Sequence, residues 1–302
     1  MVSTEIPITA ILRAHAAWLE DPAGGRQADL SEMTLNDMDL AGACFRRAIL
    51  TGTTLLDANL SRADLSESKL ERADLQRANL SGADLTSCSM AQSIFAGAFL
   101  PEANLTEISA IGVKFNQAHM DKARVIEASV NDSIFAKVSA AGASFHQSRF
   151  YDCDFSESML AGAAFYHARL QHVRFTAAAA SEANFSGSKI DHCDFVRAVV
   201  AGAKFSRVEM VQCTFRYADL RSCDFREARV RGGDFSRAVL AGSRFGSAKL
   251  LMADFRGADL TGARELTPDQ LSQAMTDQST VLPNGSRGPY MRHSGAEKPK
   301  IY

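Results

Sequence analysis

Every fifth residue from Leu30 to Leu260 is a large apolar side chain, and no insertion or deletion breaks that register. The series has 47 members, of which only Ala110, Ala140 and Ala180 are not Leu, Ile, Val, Met or Phe. Two residues before each member stands a small side chain. At 40 of those 47 positions it is Ala, Ser, Thr, Cys or Gly, the others being Met33, Met38, Ile108, Val113, Val138, Val173 and Val208. A helix repeats its buried face every ~3.6 residues and a strand every ~2, so a period of five fits neither. A chain this regular turns at fixed intervals and shows the same inward positions on each side of a coil.

The units Ala63-Asp64-Leu65, Ala73-Asp74-Leu75 and Ala83-Asp84-Leu85 resemble the pentapeptide-repeat family of bacterial proteins, whose consensus is A(D/N)LXX. The resemblance covers about three quarters of the chain. It implies an all-β solenoid, a right-handed quadrilateral β-helix with short α-helical caps at both ends. In that fold the large residue, denoted i, and residue i−2 point inward. Residues i−1, i+1 and i+2 face water.

Phenylalanine supports four sides independently. Of 18 Phe, 17 lie on the i series, and 16 of these fall on numbers ending in 5. From Phe135 to Phe255 every such position is Phe, while Leu160, Leu170, Ile190, Val200 and Leu240 lie between. With four sides per coil, this alternation puts Phe on two opposite sides and mostly aliphatics on the other two, which suits close packing. It predicts a core ladder of Phe155, Phe175, Phe195, Phe215, Phe235 and Phe255. About 12 coils at ~4.8 Å would make a rod ~57 Å long.

Residues 1–27 read as an N-terminal helical cap. Its helix spans 7–20, with Ile8, Ile11, Leu12, His15, Trp18 and Leu19 on one face, Pro7 in the first turn, and Trp18 as a large plug. His15, on the buried side, reads as structural. The β-helix spans 28–263. Thr267-Pro268-Asp269-Gln270 carries N-cap, Pro at N1 and capping-box signals, so 264–282 reads as a C-terminal capping helix that packs Leu271, Ala274 and Met275 on the last coil. Residues 283–302 have no periodicity and read as an extended or disordered tail.

The net charge of −2 does not call for a nucleic-acid partner. No apolar run suggests a signal peptide or a membrane span. Cys88, Cys153, Cys193, Cys213 and Cys223 take the small inward slot and act as small hydrophobes, with Cys44 at i−1 the exception. Cys193 and Cys213 should stack on one side, where strand spacing disfavours a bridge. A cytoplasmic setting is expected, with signal-peptide-independent export as the alternative.

Catalysis needs convergent side chains in a pocket, which a filled solenoid does not offer. The sequence has no CxxC, HExxH, P-loop or GxSxG. His172 and His192 share an i+2 column near Asp152 and Asp191, but a metal site would need further ligands. The 12 Asp at i−1 recur with the repeat and are expected to bond backbone at the corners. The expectation is therefore no enzyme, no metal and no cofactor.

Two sides stand out. One carries a basic ladder at i−1, Arg149, Arg169, Lys189, Arg229 and Lys249, interrupted by Glu209. Its like charges should pair with Asp152, Asp191 or an outside anion. The next is small and apolar: Met159, Ala161, Gly162, Ala179, Val199, Ala201, Gly202, Val239 and Ala241. It is either an interface for a protein partner or a second copy, or a set of Ala-Gly pairs that suit a tight corner. The opening His15 to Leu30 and the ending Leu266 to Leu271 resemble segments of bacterial pentapeptide proteins, some of which accompany type VI secretion or other effector-delivery systems. The resemblance thus implies a protein-binding scaffold. Its alternative is a Qnr-like DNA mimic that binds type II topoisomerase, which the modest net charge and the basic side disfavour.

Overall fold

The computed structural model describes residues 8–299. It divides into two compact units, one up to Ile134 and one from Phe135 onward, and each is a parallel β-helix.

Both units repeat one local device. The i+2 residue takes a left-handed backbone, as at Glu32 (φ 59°), Arg77 (φ 56°) and Glu157 (φ 58°). The next residue then donates its N–H to the carbonyl of i, as Ala63 does to Leu60 at 3.0 Å. One central residue at positive φ is the mark of a type II turn. Four corners return the chain to its starting side 20 residues on. There Leu30 N–H reaches the Ile49 carbonyl at 2.8 Å, and Ile49 N–H reaches that of Ala28 at 2.9 Å. Inter-coil bonds of this kind satisfy the backbone without long strands.

The i−1 aspartate locks the corner. Its carboxylate accepts the N–H of i+1, at 3.0 Å from Ser66 to Asp64 and from Thr86 to Asp84. All 12 aspartates at this position make that bond. Asn79 does the same for Ser81 at 3.1 Å. A short side chain with an acceptor two bonds from Cβ is what the geometry needs.

The interior of the second unit is two Phe columns that meet across the axis. Phe155, Phe175, Phe195, Phe215, Phe235 and Phe255 are all fully buried. Coil to coil they stack, with centroids 5.3 Å apart for Phe155–Phe175 and 4.6 Å for Phe195–Phe215. The Phe165 column meets them edge-on, Phe175–Phe185 at 6.0 Å and 87°. In the first unit the core is mostly Leu, and Phe95 stacks on Phe115 at 5.0 Å.

Among the described residues, full strands form on one side only. In the first unit β1 (Ser109–Ile111) pairs with β2 (Ser129–Asn131). In the second, β3 (Arg149–Tyr151), β4 (Arg169–Gln171), β5 (Lys189–Asp191), β6 (Glu209–Val211), β7 (Arg229–Arg231) and β8 (Lys249–Leu251) pair in parallel, partners 20 residues apart. After β4 and β5 no turn bond closes the corner. The Cys193 and Cys213 thiols instead reach the Leu170 and Ile190 carbonyls at 3.5 and 3.4 Å. The relaxed corner lets extended backbone run one residue further. By continuous strands alone, β1–β8 mark about seven turns, against the expected count of about 12 coils. Elsewhere neighbouring coils meet through isolated single-residue bridges.

The ends differ from expectation in detail. Helix α1 spans Ile8–Glu20, and Pro7 lies outside the described residues. His15, not Trp18, is the buried plug: Trp18 is half-buried, stacked on His15 at 5.6 Å with Arg47 over its ring at 5.4 Å. Gly25 lies so close to α1 that a Cβ there would sit 2.1 Å from the Trp18 nitrogen. Helix α2 is only Pro268–Ser272, with the Thr267–Gln270 capping box formed. Residues 273–282 are turns and bends rather than helix. Leu271 is buried, Ala274 half-buried and Met275 exposed, because Met275 joins the last coil through its backbone, accepting from Phe255 N–H at 2.8 Å. Residues 283–299 are not an extended or disordered tail. Leu282 N–H bonds the Ser286 carbonyl at 2.8 Å, Asn284 N–H bonds that of Ala296 at 3.2 Å, and Ala296 is buried. Residues 300–302 are outside the described range.

Candidate binding surfaces

The apolar side is a ladder of outward residues in the second unit. Met159, Ala179, Val199, Asp219 and Val239 are successive bridge partners. Met159 is 55% exposed and Val199 42%, and Ala161, Gly162 and Ala179 are exposed beside them. Ala201, Gly202, Val239 and Ala241 are half-buried. Asp219 interrupts the side, because it holds Arg221 through bonds of 2.8 and 2.6 Å. The expected interface is thereby split, with Met159 to Gly202 continuous and Val239-Leu240-Ala241 beyond the ion pair. Gly162 and Gly202 occupy the left-handed corner at φ 65° and 71°, but Glu182 and Ser222 hold the same corner at φ 60° and 58°. The corner tolerates side chains, and a Cβ on Gly162 would meet nothing within 4 Å.

The strand side carries the basic ladder. Glu209, within the ladder, is its counter-charge: Lys189 stands 3.4 Å and Arg229 3.6 Å from its carboxylate. The expected pairing with Asp152 or Asp191 is not formed. Asp191 faces the His192 ring at 2.7 Å, its nearest neighbour in the chain. Among the described residues Arg149, Arg169 and Lys249 have no carboxylate at ion-pair distance. A depression of about 360 Å³ opens between β6, β7 and β8, lined by Val211, Arg229, Arg231, Lys249 and Leu251 among others.

His172 and His192 lie 5.2 Å apart, with Tyr151 edge-on to His172 at 5.8 Å. Among the described residues no group of three or more His, Cys, Asp or Glu is placed to hold a metal. Cys88, Cys153, Cys193, Cys213 and Cys223 are buried and Cys44 is exposed, and none of the six is in a disulfide. No helix among the described residues is long and apolar enough to cross a membrane.

Family models decide the relationship. The pentapeptide repeat region model matches residues 128–205, and the pentapeptide repeats (8 copies) model matches 26–57, 58–97, 193–232 and 223–262, together more than half of the chain. The chain belongs to the pentapeptide-repeat family. Among solved structures, this pentapeptide-repeat protein is similar to HetL, involved in heterocyst differentiation regulation in the cyanobacterium Nostoc sp. strain PCC 7120. Identity is 22% and the TM-score 0.37, over 94% of this chain and 100% of that one. It is also similar to QnrB1, a plasmid-mediated fluoroquinolone resistance protein, at 19% identity and a TM-score of 0.28, over 59% of this chain and 84% of that one. A thylakoid-lumen pentapeptide repeat protein of Arabidopsis thaliana matches at 25% identity and a TM-score of 0.23, over 45% and 81%. No curated protein matches the sequence.

The exterior of this pentapeptide-repeat protein holds ion pairs that sequence reasoning missed. Some lie within a coil, i−1 to i+1: Asp224–Arg226 at 2.7 Å and Asp254–Arg256 at 2.6 Å. Others lie between coils at i+2: Asp57–Arg77 at 2.5 Å, Lys137–Glu157 at 3.5 Å and Arg207–Glu227 at 3.1 Å. The signals were an Asp-x-Arg spacing and opposite charges 20 residues apart.

Proposed function

We propose that this pentapeptide-repeat protein is a non-enzymatic binding scaffold whose apolar side, from Met159 to Gly202, docks a protein partner. One observation carries the reading. Met159, Ala179 and Val199 lie in consecutive bridged positions with Met159 and Val199 about half exposed, in a row that carries no charge until Asp219. Burying such side chains stabilises a complex by ~1.5–3 kcal/mol each when fully covered, and contiguous exposed apolar surface marks interfaces. The resemblance of both ends to bacterial pentapeptide proteins supports a setting beside a secretion or effector-delivery system, which the neighbouring genes would test. The cations of the strand side do not fit a DNA mimic, which presents repeated negative charge. Val199→Asp places a charge in the centre of the apolar side. It should abolish association, whether with a second copy in light scattering or with a partner in a quantitative pull-down. Unchanged association removes the proposal.

A further inference from the structure

The strand side of the second unit has a charge imbalance. Six cations, Arg149, Arg169, Lys189, Arg229, Arg231 and Lys249, stand against three carboxylates, Asp152, Asp191 and Glu209. Glu209 is engaged by Lys189 and Arg229, and Asp191 by His192. The near-neutral whole conceals this. Residues 1–134 hold 11 Lys and Arg against 18 Asp and Glu, whereas 135–302 hold 22 against 17. Between the free cations lie exposed aliphatic groups: Val211 is 37% exposed, Leu251 49% and Met252 61%.

We propose that β6–β8 bind an extended acidic polypeptide segment whose carboxylates alternate with aliphatic side chains. Across β6, β7 and β8 the register sets Val211, Arg231 and Leu251 side by side, aliphatic, cationic and aliphatic in turn, with Arg229 beside Arg231 on β7, and a face that alternates carboxylate and aliphatic groups complements that row. The Arg229 and Arg231 guanidinium groups favour carboxylates in paired geometry. Val211 and Leu251, flanking the 360 Å³ depression, supply the apolar contact. Both edges of β6 and β7 are already hydrogen-bonded to neighbours, so recognition runs through side chains and not by strand addition. A nucleic-acid backbone fits less well. It makes no use of Val211 and Leu251, and Glu209 opposes a continuous run of phosphates.

The test is fluorescence anisotropy of the full chain with a labelled peptide of repeating Glu-Glu-Val-Val, each face of which alternates Glu and Val when extended. The expected result is binding that weakens as salt rises and is absent with repeating Lys-Lys-Val-Val. Arg231→Glu with Lys249→Glu should lower the affinity about tenfold or more. Leu251→Ser should lower it without a change of charge, and Val199→Asp, on the apolar side, should leave it unaltered. The double variant changes only exposed side chains, so its far-ultraviolet circular dichroism should match that of the wild type. The proposal is overturned if the acidic peptide binds no better than the basic one, if a single-stranded oligonucleotide binds more tightly than the peptide, or if both the folded double variant and Leu251→Ser bind like the wild type.

Discussion

Phe175 lies on Phe195 with ring centroids 4.7 Å apart and planes 10° from parallel, one full coil between them. Phe185 meets both edge-on, at 6.0 and 5.8 Å. Each ring is thus a packing partner of the coils above, below and opposite, and stability in a solenoid is carried by such neighbour terms.

Phe195→Ala should therefore destabilise the second unit by ~3–5 kcal/mol, since the rings around the gap belong to a repeating lattice and collapse poorly. Phe195→Leu should cost less than ~1.5 kcal/mol. Chemical denaturation measures both. A Leu variant as unstable as the Ala variant would show that the aromatic ring itself, and not the filled volume, carries the contribution.

Asp224 accepts the Arg226 N–H at 3.1 Å and pairs the Arg226 guanidinium at 2.9 and 2.7 Å. The backbone bond locks the corner, and the Arg226 side chain of the ion pair is about half exposed. Asp224→Ala should cost ~1–2 kcal/mol and Arg226→Ala only ~0.2–1 kcal/mol. Asp224→Asn keeps the acceptor and should fall nearer the wild type. Melting midpoints of the three variants check the order.

His15 accepts the Ala28 N–H at its Nδ1, 3.0 Å away, so the proton sits on Nε2, which donates to the Arg46 carbonyl at 2.9 Å. Burial holds its pKa below the ordinary 6.5. The unfolded state then binds the proton more readily. Stability from this cap is fully present above pH 6.5 and falls as the pH drops below it. Hydrogen exchange of the Ala28 amide should accelerate as the pH falls from about 7 to 5, the range in which a histidine titrates. A rate independent of protonation, after correction for intrinsic exchange, would remove the assignment.

Asp277 lies in the C-terminal cap, where Ser279 above all, then the amide of Gly257 and Thr280, hold its pKa down at about 2 from an ordinary 3.8. A depressed carboxylate contributes stability above its unfolded pKa and loses it as the pH falls towards the folded one. The cap should loosen between about pH 4 and 2. Asp277→Asn should flatten that dependence, read as amide exchange at Gly257 across the same pH range.

Much of the interior was legible without coordinates, because inward positions are set by a covalent count. The spacing of Leu60, Leu65 and Leu70 places each on a new side, and side-chain size sorts Phe155 from Leu160. The corner role of Asp64 was legible for the same reason, since its partner is two residues away. Trp18 and residues 283–299 were misread. Both lie outside the repeat, where hydrophobicity and composition alone do not say which surface a segment will cover.

The amino-acid order by itself determined the inward columns, since a strict five-residue period sets which side chains turn in, and the resemblance to the pentapeptide repeat together with the ten-residue alternation of Phe implied the four-sided β-helix and so the side each exterior residue occupies. Only the tertiary structure decided how the exterior is balanced. It set Glu209 between Lys189 and Arg229, turned Asp191 to His192, and split the apolar side at Asp219–Arg221. The reason is that these long side chains choose among several partners within reach, by distances and rotamers that the register does not encode.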